Sequence, residues 1–308
     1  MFPESPRISI VTPSFNQAKF LELTIQSVLN QKYPNLEYIV VDGGSKDESL
    51  DIIKKYEKDF YFWCSESDDG QYDAINQGFY HATGEIMAWI NSDDMYLPWA
   101  LKTVASIFSQ FPQVEWLTTA QLGLWDAQGF CVGFYPVVGY NKEAFLDGGY
   151  VPWGKDKFGF SLGWIQQEST FWRRSLWEKV GGYINTEFKL ASDFDLWSRF
   201  YLHADLYATT SPLGGFRRHC EQKTSLSADS RLQQYMTEVE QSLENMRQLS
   251  NWKTNQARKL SIQLNINKLP KVKHFIQSKY GYLGKKIIRK NIDQFDASWE
   301  IQEYKFLP

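Results

Sequence analysis

Short apolar runs and helix-like spacings alternate along the first hundred residues of the chain. Four apolar or β-branched runs predict buried strands, at residues 8–11, 38–41, 61–64 and 86–90. Between them, apolar residues recur at steps of three and four and predict helices, at residues 20–29, 52–56 and 74–79. Because strand and helix alternate, we predict an α/β fold in which a mostly parallel sheet carries helices on both faces.

Polar clusters follow the predicted strands at the points where the strands end. They stand at residues 12–16, 42–45, 65–69 and 91–94. In an open parallel sheet these ends share one edge, and ligands bind beyond that edge. The chain has neither a GxGxxG nor a GxxxxGK[ST] segment, which argues against the usual dinucleotide and P-loop sites. The carboxylates in the clusters favour a diphosphate bridged by a metal ion.

Two adjacent acids, Asp93 and Asp94, follow the fourth predicted strand. Adjacent carboxylates repel each other unless a cation or hydrogen-bond donors offset their charge. Carboxylate oxygens in a loop are the ligands that Mg²⁺ and Mn²⁺ prefer, with substrate phosphates completing the coordination shell. The alternative is that one of these acids caps the helix predicted near residues 98–101.

Composition narrows the class of protein. The chain has 308 residues, is 43% hydrophobic and 22% charged, and can build one large domain or a domain with an appendage. Its net charge of −3 gives no general attraction to nucleic acid. The three cysteines form no CxxC pattern, and neither a signal-peptide layout nor an apolar run of about 18–20 residues is present. We therefore expect a cytoplasmic protein.

Nine sequence segments occur in a characteristic order, at residues 9–16, 26–31, 41–47, 69–78, 82–85, 91–94, 171–174, 181–183 and 192–197. In this order they resemble glycosyltransferase family 2, from Ile8 to about Ser225. The resemblance implies the GT-A fold for a catalytic domain over residues 1–225. Residues 226–308 are then expected to form a C-terminal helical extension with a basic tail.

The resemblance also implies a binding site for a nucleotide-sugar donor, expected to be a UDP-sugar. The implied nucleotide contacts are Thr12, Pro13, Ser14, Asn16, Asp42, Asp68, Asp73, Asn76, Asn91 and Ser92. For Asn16 and Asp42 the alternative is turn capping, since Asx side chains commonly satisfy nearby backbone groups. Asn91 stands where the family typically has the first Asp of an Asp-x-Asp segment, so the implied ligands of Mn²⁺ or Mg²⁺ are Asp93, Asp94 and His219. Which of the two acids coordinates the metal is left open.

The resemblance assigns the role of general base to Asp193, which would take the proton of an acceptor hydroxyl during inverting transfer. Asp195 is expected to serve only as helix N-terminal charge, while Gln167 and Trp197 are expected to contact the sugar or the acceptor. A sugar nucleotidyltransferase is the first alternative, but it should have a glycine-rich, basic loop after the first strand. A non-catalytic sugar-nucleotide-binding module is the second, because Asn91 and Ser192 depart from the family pattern.

The C-terminal part has two further features. Residues 228–264 have helical apolar spacing and predict an amphipathic helix that packs on the catalytic domain or on a second subunit. Residues 268–290 are basic, contain apolar side chains and have no acid. They predict either a solvated basic helix or peripheral contact with anionic lipid at the inner face of the membrane. The expected acceptor is a glycan or a lipid-linked molecule.

Overall fold

The computed structural model describes residues 5–152, 155–222, 229–293 and 297–308. The strands and helices predicted in the first hundred residues are present, in the predicted order. They are β1 Ile8–Ser14, α1 Ala18–Leu29, β2 Leu36–Asp42, α2 Ser49–Lys55, β3 Phe62–Ser65, α3 Gln71–His81, β4 Ile86–Trp89, β5 Met95–Tyr96 and α4 Ala100–Gln110.

The second half of the chain mixes short strands with helices. Its elements are β6 Trp116–Thr119, β7 Gln121–Trp125, β8 Cys131–Pro136, α5 Lys142–Leu146, α6 Lys155–Phe158, β9 Phe171–Arg173, α7 Arg174–Lys179, α8 Ser192–Tyr201, β10 Leu206–Thr209 and β11 Gly214–Arg217. The C-terminal elements are α9 Asp229–Leu249, α10 Gln256–Gln263, α11 Pro270–Tyr280, β12 Tyr282–Lys290 and β13 Ser298–Phe306. Residues Gln167–Ser169 form a single 3₁₀ turn just before β9.

Within the described residues, nine strands form a central sheet in the order β13-β12-β10-β6-β9-β4-β1-β2-β3. Neighbours are parallel except β9, which is antiparallel to β4 and β6, and β13, which is antiparallel to β12. The fold class is therefore the predicted mostly parallel α/β sheet. A second sheet, in the order β5-β11-β7-β8, flanks it.

Strand β1 lies at the centre of the site-forming half of the sheet. It is buried along its whole length and pairs in parallel with both β2 and β4. Helix α3 packs closely on this strand, because Gly78 lies where a Cβ would stand 2.4 Å from a methyl group of Val11. This close approach fixes the start of α3, at Gln71, beside the carboxyl ends of the strands.

Four buried tryptophans form the core behind the site. Trp197 stacks between Trp89 and Trp116, with ring centroids 5.9 and 5.6 Å apart, and Trp172 meets it edge-on. Trp197 is only 1% exposed. Its ring is enclosed by other aromatic side chains, so the structure favours a core role over the predicted contact with the sugar or the acceptor.

The C-terminal part is only partly helical, which corrects one prediction. Helices α9, α10 and α11 are present, but residues Tyr282–Lys290 form a strand that pairs in parallel with β10, and Ser298–Phe306 completes a hairpin with it. The basic stretch 268–290 is thus half helix and half strand. Lysines of β12 find acids within the chain, since Lys285 lies 2.8 Å from Asp205 and Lys290 pairs with Glu300.

Helix α9 packs on the catalytic part of its own chain. Its buried apolar residues follow the predicted helical spacing and are Tyr235, Val239, Leu243 and Met246. This face is covered by α5 and α8, so no second subunit is needed to bury it. The predicted domain boundary near residue 225 lies outside the described residues.

Candidate active site

The strand ends meet as the sequence predicted. In the parallel register, Ser14 at the end of β1 stands opposite Asp42 at the end of β2, and Asp42 stands opposite Ser65 at the end of β3. Strand β4 joins the other side of β1 and leads directly into Asn91. Polar residues from four chain segments therefore share one edge of the sheet.

Asp42 organises the loop that follows β2. Its carboxylate is fully buried and accepts hydrogen bonds from the backbone N–H groups of Gly44 and Ser45, at 3.2 and 2.9 Å. The hydroxyls of Ser45 and Ser65 donate to it as well, at 2.5 and 2.7 Å. Both oxygens are therefore occupied by the protein, and turn capping, the alternative to direct nucleotide contact, is the arrangement found.

Gly43 allows the carboxylate of Asp68 to lie against this loop. A Cβ at Gly43 would stand 2.8 Å from Oδ2 of Asp68, closer than real side chains approach. The other oxygen of Asp68 accepts a hydrogen bond from the backbone N–H of Gly70, at 2.9 Å. Asp68 is partly exposed, so this acid, rather than Asp42, faces the outside of the loop.

Several predicted nucleotide contacts have buried or occupied side chains. Thr12 is fully buried and bonds to the phenol of Tyr38 at 3.1 Å. The amide of Asn76 is held at both ends by the backbone of Ile184, at 2.7 and 2.8 Å, which does not favour its predicted contact with the nucleotide. The remaining predicted contacts with buried side chains are Pro13, Ser14 and Ser92.

Two predicted contacts keep exposed atoms near this edge. Asn16 has a left-handed backbone with φ of 53°, and its Oδ1 accepts a hydrogen bond from the backbone N–H of Lys46 at 2.8 Å. Asp73, in the first turn of α3, accepts hydrogen bonds from the side chain of Gln77 and the backbone N–H of Asp69. Asn16 thus joins the loops after β1 and β2, while Asp73 remains partly exposed.

Asn91 connects three segments of the site. Its Oδ1 accepts a hydrogen bond from the side chain of Gln71 at 2.7 Å, and its Nδ2 donates to Asp94 at 3.1 Å and to Gln167 at 3.2 Å. The other end of Gln167 donates to the carbonyl of Trp89 at 2.6 Å, and its side chain is buried. Gln167 therefore supports Asn91 in this structure, and its expected contact with the sugar stays a prediction that these bonds do not favour.

The two adjacent acids have different surroundings. Asp94 is fully buried, and its oxygens accept from the backbone N–H of Arg217 at 2.8 Å and from Asn91. Asp93 is 19% exposed, and its Oδ2 lies 3.0 Å from Nε2 of His219. Both oxygens of Asp94 are therefore engaged by the protein in this structure, whereas Asp93 and His219 lie side by side and stay the predicted metal ligands. Neither acid caps α4, which begins after Trp99 without a side-chain cap.

A metal centre formed wholly by protein side chains is not found. Over residues 5–152, 155–222, 229–293 and 297–308, no three His, Cys, Asp or Glu side chains are grouped so that they could hold a metal ion. A cation bound with a diphosphate needs only one or two carboxylates, because phosphate oxygens and water complete its shell. Asp93 fits that role, since its carboxylate oxygens are hard donors and partly open to solvent. His219 fits as its neighbour, because its Nδ1 is buried without a hydrogen-bond partner.

Sequence reasoning missed Glu168 as a member of the site. Burial, followed by the charge of Glu168, raises the pKa of Asp94 well above its ordinary value, and burial likewise raises the pKa of Glu168. The charges of Asp93 and Asp193 also raise the pKa of Glu168. Glu168 therefore lies close enough to feel the charges of both the metal-side acids and the predicted base. The sequence contains one signal for Glu168: this acid stands close to the apolar, aromatic segment that forms β9.

Asp193 is the second residue of α8, and its carboxyl group has a raised pKa. Burial is the main cause that raises its pKa to about 6, while the backbone N–H of Phe194, which donates to Oδ1 at 2.8 Å, opposes the rise. Asp195 instead pairs with Arg199 at 3.0 Å. The two carboxylates therefore have different environments: Asp195 is paired with a cation, and no such ion pair is found for Asp193 in the part of the chain that the structure describes.

Arg217 brings a buried cation to the site. It is fully buried, and its guanidinium nitrogens find no hydrogen-bond acceptor within the described part of the chain. The guanidinium carbon lies 5.1 Å from the centroid of the Phe20 ring. Burial lowers the pKa of Arg217, and the charges of Asp94, Asp93 and Asp126 oppose that change. Its positive charge therefore offsets the negative charge of the two adjacent acids.

A cavity of about 340 Å³ lies beside the start of helix α3. Its wall comes from the start of α3, the segment before α8, the segment after β11 and helix α9. Of the predicted site residues, Asp73 lines it, next to Gln71 and Tyr72. Two of its lining residues connect to the predicted site: Gln71 binds Asn91, and the charge of Asp193 acts on Tyr72.

The fold and this acidic edge define a glycosyltransferase with the GT-A fold. The model of the family called Glycosyl transferase family 2 matches residues 9–118, and the chain belongs to that family. An uncharacterized glycosyltransferase of Mycobacterium tuberculosis is 32% identical over 192 residues, which are 61% of this chain and 66% of that protein. The chain thus spans about two thirds of that relative's length.

Solved structures share the fold at low sequence identity. TarS from S. aureus, residues 1–349 in complex with UDP-GlcNAc, superposes with a TM-score of 0.61 at 17% identity, covering 89% of this chain and 76% of that one. The mannosyltransferase PcManGT from Pyrobaculum calidifontis, in complex with GDP-Man and Mn²⁺, superposes with a TM-score of 0.50 at 14% identity, covering 89% and 84%. At these identities the likeness concerns the fold.

Proposed function

We propose that the protein transfers a sugar from a UDP-sugar to a hydroxyl of a glycan or lipid-linked acceptor, with inversion at the anomeric carbon. The observation that carries the proposal is that two acids with different surroundings, Asp93 and Asp193, both act through their charge on the buried Glu168. Asp93 is partly exposed beside His219, and Asp193 is kept without a cationic partner and has a raised pKa. One acid is suited to the diphosphate side, and the other to the acceptor side.

Asp193 is proposed as the general base. A carboxylate whose pKa is about 6 is ionised at neutral pH yet more basic than an ordinary aspartate, which suits proton removal from a hydroxyl. Direct attack of the deprotonated acceptor oxygen forms the new bond as the nucleoside diphosphate leaves. The enzyme then needs no nucleophile of its own, and the cavity beside Gln71 and Tyr72 offers space for a sugar or acceptor.

Mn²⁺ or Mg²⁺ is proposed as the cofactor, with Asp93 and His219 holding it. When bound, such a cation offsets the charge that develops on the departing diphosphate. Asn91 and Asp94 are proposed to support this position rather than to coordinate the metal, because Asp94 is buried and bonded to Arg217 and Asn91. Asn16, in the loop after β1, and Asp68, in the loop after β3, remain as candidates for nucleotide contacts.

Turnover of a donor panel tests the proposal. Nucleoside diphosphates and their sugars are first screened by thermal shift with and without Mn²⁺, and release of the nucleoside diphosphate is then measured with the stabilising donors. We expect stabilisation by UDP and a UDP-sugar with Mn²⁺, and release of UDP that is strongly slowed in Asp93→Ala and slowed by about 10²–10⁴-fold in Asp193→Asn. Asp195→Asn is the matched control and should retain activity, because its carboxylate is held by Arg199.

Two outcomes of this panel would contradict the proposal. Formation of a nucleotide-sugar from a nucleoside triphosphate would identify a nucleotidyltransferase instead. Tight UDP binding without turnover of any donor would identify a non-catalytic binding module. Full activity of Asp193→Asn would remove its assignment as the base.

We also propose that the surface formed by α10 and α11 contacts anionic lipid. No Asp or Glu occurs between residues 245 and 292, and large apolar side chains are exposed there, at Leu260, Leu264, Leu269 and Phe275. Exposed lysines accompany them, and Lys279 lies 5.8 Å from the ring of Phe275. None of the helices in the described ranges combines the length and apolar character that crossing a bilayer requires. Contact would therefore be peripheral.

Sedimentation with lipid vesicles tests this surface. We expect binding to phosphatidylglycerol vesicles that weakens with salt and in the double variant Lys271→Glu, Lys273→Glu, and no binding to phosphatidylcholine vesicles. Lys102→Glu, an exposed lysine on α4, is the control. Equal binding to both lipids, or no effect of the double variant, would contradict the proposal.

A further inference from the structure

A single carboxylate on helix α9 holds the segment that leads into α8. Glu238 is buried, and its Oε2 accepts hydrogen bonds from the backbone N–H groups of Leu190 and Ala191, both at 2.9 Å. Its Oε1 accepts a third from the backbone N–H of Lys189 at 3.0 Å. Hydrogen bonds to an ionised acceptor are roughly twice as strong as neutral ones. Three consecutive backbone groups are thus fixed by one side chain.

These three residues immediately precede the helix that carries the proposed base. Helix α8 begins at Ser192, whose hydroxyl donates to the carbonyl of Asn185 at 2.7 Å. Asp193 is the next residue, so the position of its backbone depends on residues 189–191. The position of its carboxylate depends on that backbone. Ala191, the residue before the helix, makes no side-chain hydrogen bond that caps α8. Glu238 supplies that anchor from a distant part of the chain.

We propose that Glu238 is a positioning residue that keeps Asp193 in its place, so that helix α9 is a functional part of the active site. The inference rests on the proposed role of Asp193 as the base. Glu238 is bonded to the backbone and to Gln234 rather than to the reacting groups. Its removal should therefore impair the chemical step more than donor binding, since a misplacement of about 1 Å can cost on the order of 10²-fold in rate.

The charge of Glu238 gives the proposal a second signature. The titratable groups that act on or face Asp193 are Tyr72 on α3, Glu168 in the turn before β9, and Tyr235 and Glu238 on α9. Burial is the main cause of the raised pKa of Asp193, and the negative charge of Glu238 adds to it. Neutralising Glu238 should therefore lower the pKa of Asp193.

The experiment compares Glu238→Gln with Glu244→Gln, an exposed acid on the same helix. With the stabilising UDP-sugar and Mn²⁺, we expect Glu238→Gln to lower kcat by about 10- to 100-fold and to leave KM for the donor within about twofold. The acid limb of its pH profile should move to lower pH. In the Asp193→Asn background, Glu238→Gln should cause no further loss, because it acts through Asp193. Glu244→Gln should behave as wild type.

The outcomes separate this inference from the proposed function. Full activity of Asp193→Asn would refute the base itself. An impaired Asp193→Asn beside a Glu238→Gln variant with unchanged kcat and acid limb would overturn the role of Glu238 alone. Losses that multiply in the double variant would mean that Glu238 serves only the fold and would overturn it too. If Glu238→Gln does not fold, Glu238→Asp, which keeps the charge, replaces it in the experiment. Glu238→Asp should show a lower kcat and an unmoved acid limb of the pH profile. A wild-type kcat in Glu238→Asp would contradict the inference.

Discussion

Replacement of Asp193 by asparagine should remove activity and increase stability above neutral pH. The folded protein raises the pKa of this carboxyl group from an ordinary 3.8 to about 6, chiefly through burial. A group whose pKa is raised on folding contributes stability that is fully present below 3.8 and is lost as pH rises through about 6. At pH 8 the ionised carboxylate therefore lowers the free energy of unfolding, and the neutral amide of the variant does not.

The magnitude follows from the pKa difference. A change from 3.8 to about 6 corresponds to roughly 3 kcal/mol at full burial. Because Asp193 is partly exposed, we expect about 1–2 kcal/mol, which is roughly 2–8 °C in Tm for a domain of this size. Asparagine retains an oxygen that can accept from the backbone N–H of Phe194, so little packing should be lost.

The assay is urea or thermal unfolding of wild type and Asp193→Asn at pH 4 and pH 8, together with kcat at pH 8. The stability of the variant relative to wild type should be greater at pH 8 than at pH 4. At pH 8 the kcat of the variant should be lower than that of wild type by about 10²–10⁴-fold. Glu244→Gln, an exposed acid-to-amide change, should show neither effect. A stability difference between Asp193→Asn and wild type that is the same at both pH values would refute the reasoning about burial.

Three further changes test separate parts of the site. His219→Gln should weaken Mn²⁺ affinity in the presence of UDP by roughly 10–100-fold in titration calorimetry, because His219 orients Asp93 at 3.0 Å; unchanged Mn²⁺ affinity would exclude His219 from the metal position. Gly43→Ala should lower Tm and UDP affinity, since its Cβ would meet Asp68 at 2.8 Å, and adding Asp68→Ala should restore Tm; no recovery in the double variant would show that this contact is not the cause. Trp197→Ala should cost about 3–5 kcal/mol of unfolding free energy as a core change, whereas a higher KM without lost stability would point to a sugar contact.

The fold and the common edge could be predicted because they depend on local patterns. Periods of two and 3.6 residues separate strands from helices, and a parallel sheet then places the strand ends together. The direction of each polar side chain depends on partners far away in sequence. Asn76 is held by Ile184, 108 residues away, and Gln167 by Trp89, 78 residues away. No local pattern around those residues reports such partners.

The C-terminal strands were missed for a related reason. Strand β12 contains lysines beside isoleucines, and its lysines are tolerated because acids of β13 and Asp205 lie next to them. Read alone, the stretch has the composition of a basic surface segment. Its pairing with β10 depends on tertiary contacts, and tertiary context overrides local propensity.

The most direct test of the central claim is an anomalous difference map from crystals grown with UDP and Mn²⁺. A manganese peak is expected within about 2.5 Å of a carboxylate oxygen of Asp93 and of the diphosphate, and the bound UDP-sugar site is expected to extend from Asp93 to Asp193. A peak bound to other residues, or UDP held at a surface that Asp93 and Asp193 do not share, would contradict the account.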